Sequence, residues 1–468
     1  MAHDLPLIEE LIPPPDPWET AKRLAGLPHL LFLDSADRAI NPNEFNRYSY
    51  AAADPVRWIS GRTDDPEPPR ISELAEILTD HKLANVPGLP PFQGGIAGLF
   101  GYELGHLFEK LPRPKRRAST PDLAVGVYDW VISWDHPENR AWIVATGKGN
   151  DSAKRRMTQV RSWMETPPAP RSYGCLIGTV WLENQLQNTR VGSNFSRTDF
   201  CSAASRAIDY IREGDCFQVN AAQKLITARG PWPLPLYERL RIHCPSAFCA
   251  FFDAAAAPDV CCIVSSSPEE FLRVDAAGRV TTRPIKGTRP RFEDPLRDRA
   301  SLAELLASEK DRAENVMIID LLRNDLGKVC EYGSVKVKRV CEPASYRNVH
   351  HLVSEITGQL RKDKAALDLL CAAFPGGSVT GAPKVRAMQI IAELEPDARG
   401  AYCGCLGYLG FNGTMDTNIL IRTMTVDNRF VTFPVGAGIV ADSDPDAEYE
   451  ETLAKAEGML RALEARRG

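Results

Sequence analysis

The sequence predicts an α+β protein. Strand-like and helix-like segments intermix along the chain without the regular strand–helix–strand rhythm that builds a parallel sheet. Glycines cluster inside apolar runs, as in Gly94-Gly95-Ile96-Ala97-Gly98-Leu99-Phe100-Gly101-Tyr102, where bulges or close backbone packing between strands need them. The composition agrees: 468 residues with 44% apolar and 25% charged side chains are ordinary for a globular chain. That length allows roughly two to four domains or one unusually large one.

The N-terminal stretch reads as an irregular arm plus a short helix around Trp18–Leu27. Leu30–Ala36 (LLFLDSA) reads as a strand ending in a polar turn, and Ser49–Ser60 includes a second strand. Thr63–Pro69 is an acid- and proline-rich loop, and Ile71–His81 has helical spacing. Gly94–Tyr102 is the glycine-dense strand. Ala124–Trp134 and Arg140–Thr146 pair around a turn at Asp135–Asn139, and Ser152–Met164 is a basic amphipathic helix. Glu165–Arg171 (ETPPAPR) is the best linker, so that residues 1–170 and 190–468 form two regions.

Beyond it, Ser196 with Asp199 caps a helix running to about Glu213, and Gly214 ends it. Phe217–Thr227 is a strand, Leu236–His243 a helix, and Ala250–Phe252 begins a further strand. Val260–Val274 and Arg279–Lys286 read as a hairpin around Asp275–Gly278. Leu302–Leu326 reads as one long helix and Ala365–Phe374 as a shorter one. A glycine-rich turn from Gly376 leads into the helix Lys384–Leu394. Strands follow at Cys403–Phe411, Asn418–Val426 and Phe430–Val435. Asp444 with Pro445 opens a last helix.

A net charge of −5 and no basic run longer than Lys115–Arg117 argue against a nucleic-acid binder. No run of about 18 apolar residues is present, which excludes a helical membrane span, and the acidic, proline-rich start is no secretory signal. The 12 cysteines contain no CxxC pair. Buried free thiols in a reducing cytoplasm are therefore expected, rather than disulfides or zinc.

The chemistry centres on Pro284–Arg291 (PIKGTRPR). Lys286 lies between a β-branched residue and a glycine that allows a tight turn. A desolvated lysine there is a candidate nucleophile; the alternative is a solvated lysine beside a turn. Asp311 and Glu314 lie three apart on one predicted helix, and Glu448 and Glu451 three apart on another, with Lys455 four further on. Residues at that spacing share a helix face. If the two faces meet, four carboxylates need a cation, and oxygen-only ligands favour magnesium (Mg2+); otherwise both are solvated faces. Gly376–Lys384 fails the Walker spacing, but its free N–H groups at a helix start suit a carboxylate, as does the backbone at Gly436–Gly438. Arg422 on a strand can clamp a carboxylate. Of the adjacent His350 and His351, only one can face a site served by a strand. Glu269, just after an apolar run, is a candidate general acid.

PIKGTRPR, ENVMIIDLLRNDLG (Glu314–Gly327), HLVSEITG (His351–Gly358), FPGGSVTGAPKVRAM (Phe374–Met388), IRT (Ile421–Thr423), GAGIVADS (Gly436–Ser443) and EYEETLAKA (Glu448–Ala456) together resemble the signature blocks of the chorismate-utilising enzymes. The strong similarity covers roughly residues 195–460. GGIAGLFGYELG and the elements near Asp34 and Tyr48 extend it more weakly through the N-terminal half. The resemblance implies large antiparallel sheets packed as a sandwich with helices outside, and two regions intertwined in one globule.

Within the family, anthranilate synthase large subunits resemble this chain but carry alanine in place of Lys286. The aminodeoxychorismate synthases of the 4-aminobenzoate and folate branch carry PIKGT. The resemblance therefore implies a transferase that converts chorismate and ammonia to 4-amino-4-deoxychorismate. Lys286 would attack C2 and Glu269 would act as general acid. Glu314 and Glu451 would bind magnesium, supported by Asp311 and Glu448. Arg422, Tyr402 and Gly438 would hold a substrate carboxylate, with Lys455, Gln218, Thr288 and His351 completing the pocket. No cysteine has the glycine-flanked elbow of a glutaminase, so a partner glutamine amidotransferase would supply ammonia. A tryptophan pocket is implied near Asp34, Ser35 and Tyr48. The rival within the family is anthranilate synthase component I. Isochorismate and salicylate synthases usually carry lysine where this chain has Gln218. A catalytically silent tryptophan sensor is the rival outside enzymes, against which every needed acid and base is present.

Overall fold

In a computed structural model, residues 5–37, 46–147, 149–169, 191–228, 233–255, 261–347 and 349–464 are described. Two antiparallel sheets, one of 12 strands and one of 10, organise these residues. Their inner faces share one core, in which Leu31, Phe252 and Ile263 of the larger sheet meet Ala97, Leu99 and Tyr408 of the smaller. Tyr408 stacks on Phe92 with centroids 4.4 Å apart, and Tyr50 meets both rings edge-on. Such pairs add about 0.5–1.5 kcal/mol each beyond their buried area. Helices Pro17–Leu24, Pro233–His243 and Pro445–Glu464 cover the outer face of the larger sheet. Helices Glu309–Gly327 and Ala366–Ala373 lie outside the smaller one, while Lys384–Leu394 packs on Gln218–Ala228 of the larger. This is the α+β sandwich the sequence implied.

Both sheets draw strands from both halves of the chain. Leu31–Asp34 pairs with Phe248–Asp253 in the larger sheet, and Gly95–Phe100 pairs with Cys405–Gly410 in the smaller. No described helix is long and apolar enough to cross a membrane, and every described cysteine is a free thiol.

Three runs expected as single strands are each two strands in different sheets. Ala124–Trp134 divides into Leu123–Tyr128 in the smaller sheet and Trp130–Asp135 in the larger. Val260–Val274 divides into Cys261–Ser267 in the larger and Glu270–Val274 in the smaller. Asn418–Val426 divides between Met415–Ile419 in the smaller and Thr423–Asp427 in the larger. Each run is buried almost throughout because the chain crosses the sandwich and stays against a core on both sides of the crossing. The joints are polar: Asp129, Pro268–Glu269 and Leu420–Arg422, where Arg422 takes φ +50°.

The expected long helix also divides. Pro295–Ala307 ends at Ser308, whose side chain accepts from the backbone N–H of Asp311 and starts Glu309–Gly327. Two elements were not anticipated, the strand Leu7–Glu10 and the hairpin Lys336–Ser345/Val349–Gln359. The first strand of that hairpin is largely polar, carries Pro343 and lacks the alternation that marks a strand. Ser196 caps Arg197–Arg212 by accepting from the N–H of Asp199, but Asp199 returns its carboxylate to the Ser196 hydroxyl rather than to the backbone. Asp444 caps the last helix through the N–H of Ala447. The expected linker Glu165–Arg171 begins at a helix end, and its residues 170–171 lie outside the described residues.

Candidate active site

Strand geometry sets the lysine. Ile285–Pro290 pairs with Val349–Gln359, and the register slips between Lys286 and Thr288. The bulge falls on Gly287 at φ +76°, where a Cβ would lie 2.8 Å from Leu305 and 3.1 Å from Asp311. Only glycine fits both the dihedral and the space. The bulge allows Lys286 Nζ to donate to the Ser378 carbonyl at 3.1 Å and to sit 3.9 Å from Glu314 Oε2. Burial lowers the lysine pKa; Glu314 and Glu269 oppose the shift without cancelling it. Of the two starting readings, solvated lysine or desolvated amine, the geometry gives the second.

Glu269 occupies the joint between two sheets. Its N–H donates to Ser267 Oγ at 3.2 Å and its carbonyl accepts from Ile419 at 3.1 Å, which fixes the backbone. Its carboxylate accepts the Ser378 hydroxyl at 2.7 Å. Burial pushes the carboxyl up to about 7, while Ser378 and Lys286 restrain the rise. Such a group carries a proton near neutrality and can deliver it to a leaving oxygen.

The two histidines face apart. His351 Nδ1 lies 2.9 Å from Thr288 Oγ1 and 3.2 Å from the Gly287 carbonyl. Burial and then Arg422 hold its pKa down to about 3, so it is neutral. His350 turns to Ser345 and to Asp298, 3.0 Å away.

Gln218–Ala228 and Phe430–Ile439 pair so that Asn220 faces Gly438, and they form the opposite wall. Gln218 Nε2 crosses to Glu314 Oε2 at 3.1 Å. Lys455 Nζ donates to the Gly436 carbonyl at 2.9 Å and pairs with Glu451 at 2.7 Å. Tyr402 is buried beside Gly436, whose added Cβ would stand 2.6 Å from its hydroxyl.

The four acids do not form one cluster. Among the described residues, no three His, Cys, Asp or Glu side chains gather as a metal site. Asp311 turns to Arg289 at 3.4 Å. Glu448 accepts the Ser443 hydroxyl at 2.6 Å and faces Lys310 at 3.7 Å, and burial raises its pKa. The expectation of four converging carboxylates is corrected for a physical reason: Arg289 draws Asp311 aside, and Ser443 with Lys310 holds Glu448. Glu314 and Glu451 remain. Both act electrostatically on Lys286 from opposite helices, and for Glu451 the lysines outweigh burial and lower its pKa. Magnesium typically takes one or two carboxylates from a protein, so the chemistry of this reduced pair fits the ion.

Ser378 was not anticipated. The glycine-rich turn drew attention to its backbone N–H groups, whereas the serine's hydroxyl and carbonyl reach the site. Lys310 was also missed, since helical spacing alone does not show that it faces another helix.

Between the sheets lies a separate cavity of ≈ 60 Å³ lined by Asp34, Ser35, Tyr48, Tyr50, Arg273 and Asp416. All three residues expected of a second pocket line it. Asp34 Oδ2 accepts from Tyr237 at 2.9 Å and Arg241 at 2.8 Å, while its Oδ1 has no partner. Arg47 instead pairs with Asp135 at 2.8 Å.

Residues 36–461 match the chorismate binding enzyme family. Aminodeoxychorismate synthase component 1 of Salmonella typhimurium is 40% identical over 454 residues, 94% of either chain. Anthranilate synthase component 1 of Synechocystis is 37% identical, over 98% of this chain and 95% of its own. The structure of anthranilate synthase component I from Streptococcus pneumoniae superposes with TM-score 0.74 at 31% identity, over 88% of this chain and 92% of that one.

Proposed function

Because this chain belongs to the chorismate-binding enzyme family, we propose that it converts chorismate and ammonia to 4-amino-4-deoxychorismate and water. The observation that carries the reading is the half-buried Lys286 amine and the protonatable Glu269, both held by Ser378. Relatives of both synthase types match over nearly the whole chain, so overall similarity does not choose between them. Lys286 does, because an amine at this position offers a covalent route that alanine lacks.

In this reading the neutral Lys286 amine attacks C2 of chorismate. The ring double bonds shift, and the C4 hydroxyl departs as water with the proton of Glu269. Ammonia then bonds to C4, the bond from Lys286 to C2 breaks, and the spare proton of ammonia returns to Glu269. Arg422, Tyr402 and the Gly438 backbone orient a substrate carboxylate, with Lys455, Gln218, Thr288 and His351 around it. Glu314 and Glu451 would hold magnesium, which when bound supplies positive charge against the dianionic substrate. Asp311 and Glu448 act outside that pair, through Arg289 and Lys310.

The relatives' designation as component 1 supports a second component. In our reading that partner is a glutamine amidotransferase that releases ammonia. The inter-sheet cavity is our candidate seat for tryptophan, on its orphaned Asp34 oxygen. Residues 1–170 and 190–468 act as one unit, a view supported by the strand pairings between them.

The test is product identification by mass after incubating purified protein with chorismate, magnesium and ammonium salt. The expected product is 4-amino-4-deoxychorismate, with glutamine inert in place of ammonium. Anthranilate as the main product would overturn the reading.

A further inference from the structure

One serine touches both reacting groups. Ser378 accepts Lys286 Nζ on its carbonyl at 3.1 Å and donates its hydroxyl to Glu269 Oε1 at 2.7 Å. Lys286 lies on a strand and Glu269 at the joint between two others, and neither backbone fixes the distance between their side-chain ends. A common anchor does.

The anchor is itself held on several sides. Ser378 lies in the short turn Gly377–Val379. A Cβ on Gly377 would stand 2.2 Å from Leu321, so the turn rests directly on the helix that carries Glu314. The Val379 carbonyl accepts from Asn220 Nδ2 at 3.0 Å and from Arg399 at 3.1 Å. Arg399 is buried and gripped by both oxygens of Glu395, at 2.9 and 2.6 Å. Thr380 Oγ1 closes the turn onto the Gly376 carbonyl at 3.1 Å. A turn braced this way can hold two side chains in register through a reaction cycle.

We propose that Ser378 is a positioning residue that sets the nucleophilic lysine and the general acid relative to each other, and whose hydroxyl keeps Glu269 in the donating geometry. This rests on the reaction just described. The carbonyl arm survives substitution and the hydroxyl arm does not, so Ser378→Ala isolates the Glu269 contact. Around Glu269 stand the Lys286 ammonium, the Ile285 N–H and, more remotely, the Cys403 thiol. Only the Ser378 hydroxyl is lost. A donor to a carboxylate favours its charged form, so removal makes Glu269 hold its proton to higher pH.

The experiment measures chorismate consumption against pH with ammonium and magnesium, for wild type, Ser378→Ala and Ser378→Thr. For Ser378→Ala, kcat falls roughly 10- to 100-fold with KM for chorismate little changed, and the alkaline limb of the profile moves to higher pH. Ser378→Thr keeps the hydroxyl and returns the limb to its wild-type place. A limb that stays put in Ser378→Ala, whatever the rate, overturns the proposal, as does Ser378→Thr behaving like alanine. If the alanine variant does not fold by circular dichroism, Ser378→Cys, a weak donor, replaces it and must move the limb the same way. Because the rate read is chorismate loss, an unexpected product sinks the proposed function and leaves this test intact.

Discussion

Glu269 and Glu270 are consecutive carboxylates with opposite employment. Glu269 faces the catalytic residues, holds one side-chain hydrogen bond and has no cation within bonding distance. Glu270 faces the space between the sheets and binds two arginines, Arg273 at 2.7 Å and Arg283 at 3.1 Å. That second region continues through Arg283 to Glu355 and through Arg273 to Asp416, whose pKa burial raises to about 7 against the pull of Arg273. In the first region a buried acid with no paired cation is raised to about 7 and can hold a proton near neutrality. In the second, the same side chain one position along is consumed in a structural network. Burial alone therefore does not mark a candidate general acid; burial without a directly paired cation does.

The comparison can be broken first at the nucleophile. Lys286→Ala removes the covalent route but leaves Glu269 and the substrate clamps. It should abolish the 4-amino product and allow ammonia to attack C2, giving some 2-amino product visible by mass. Retention of the 4-amino product at near wild-type rate would show that no covalent step is needed. Lys286→Arg should yield neither product, because guanidinium stays charged.

Next comes the pair itself. Glu269→Gln should lower kcat by about 10²- to 10⁴-fold without lowering the urea midpoint, since the buried carboxylate it replaces is disfavoured in its charged form. Glu270→Gln should do the reverse. It leaves buried Arg283 and half-buried Arg273 facing a neutral amide, each with one carboxylate left, so the loss falls below the roughly 3–5 kcal/mol of a fully broken buried pair. Urea unfolding and steady-state kinetics on both variants decide; equal stability losses would erase the distinction.

The smallest contrast concerns the acids on the helices. Glu314→Gln or Glu451→Gln should abolish turnover at millimolar magnesium while leaving the fold intact, and calorimetry with magnesium alone should show binding at least about 100-fold weaker. Asp311→Asn, tied to Arg289 at 3.4 Å, should change it by no more than about fivefold. Unaltered magnesium binding by Glu314→Gln would remove that residue from the metal.

The sequence alone carried the fold class, most element positions and the choice of candidate site residues. Periodicity located Lys384–Leu394 at the bounds observed, and Asp444 with Pro445 announced the last helix, because caps and apolar spacing are local signals. The bulge that aims Lys286 was foreshadowed by Gly287, since the local backbone demands that residue. The tertiary structure decided what depends on partners far away in the chain. An apolar run shows that a strand is buried on both faces, not that it leaves one sheet for the other at Pro268–Glu269 or Leu420–Arg422. Helical spacing put Asp311 with Glu314 and Glu448 with Glu451, but Arg289 draws Asp311 aside and Ser443 with Lys310 holds Glu448. Ser378 became the common partner of Lys286 and Glu269 only because three remote segments converge on it. Pattern along the chain records each residue's preference for burial; charge pairing and shared hydrogen bonds are settled by which neighbours the packed sheets bring within about 3 Å.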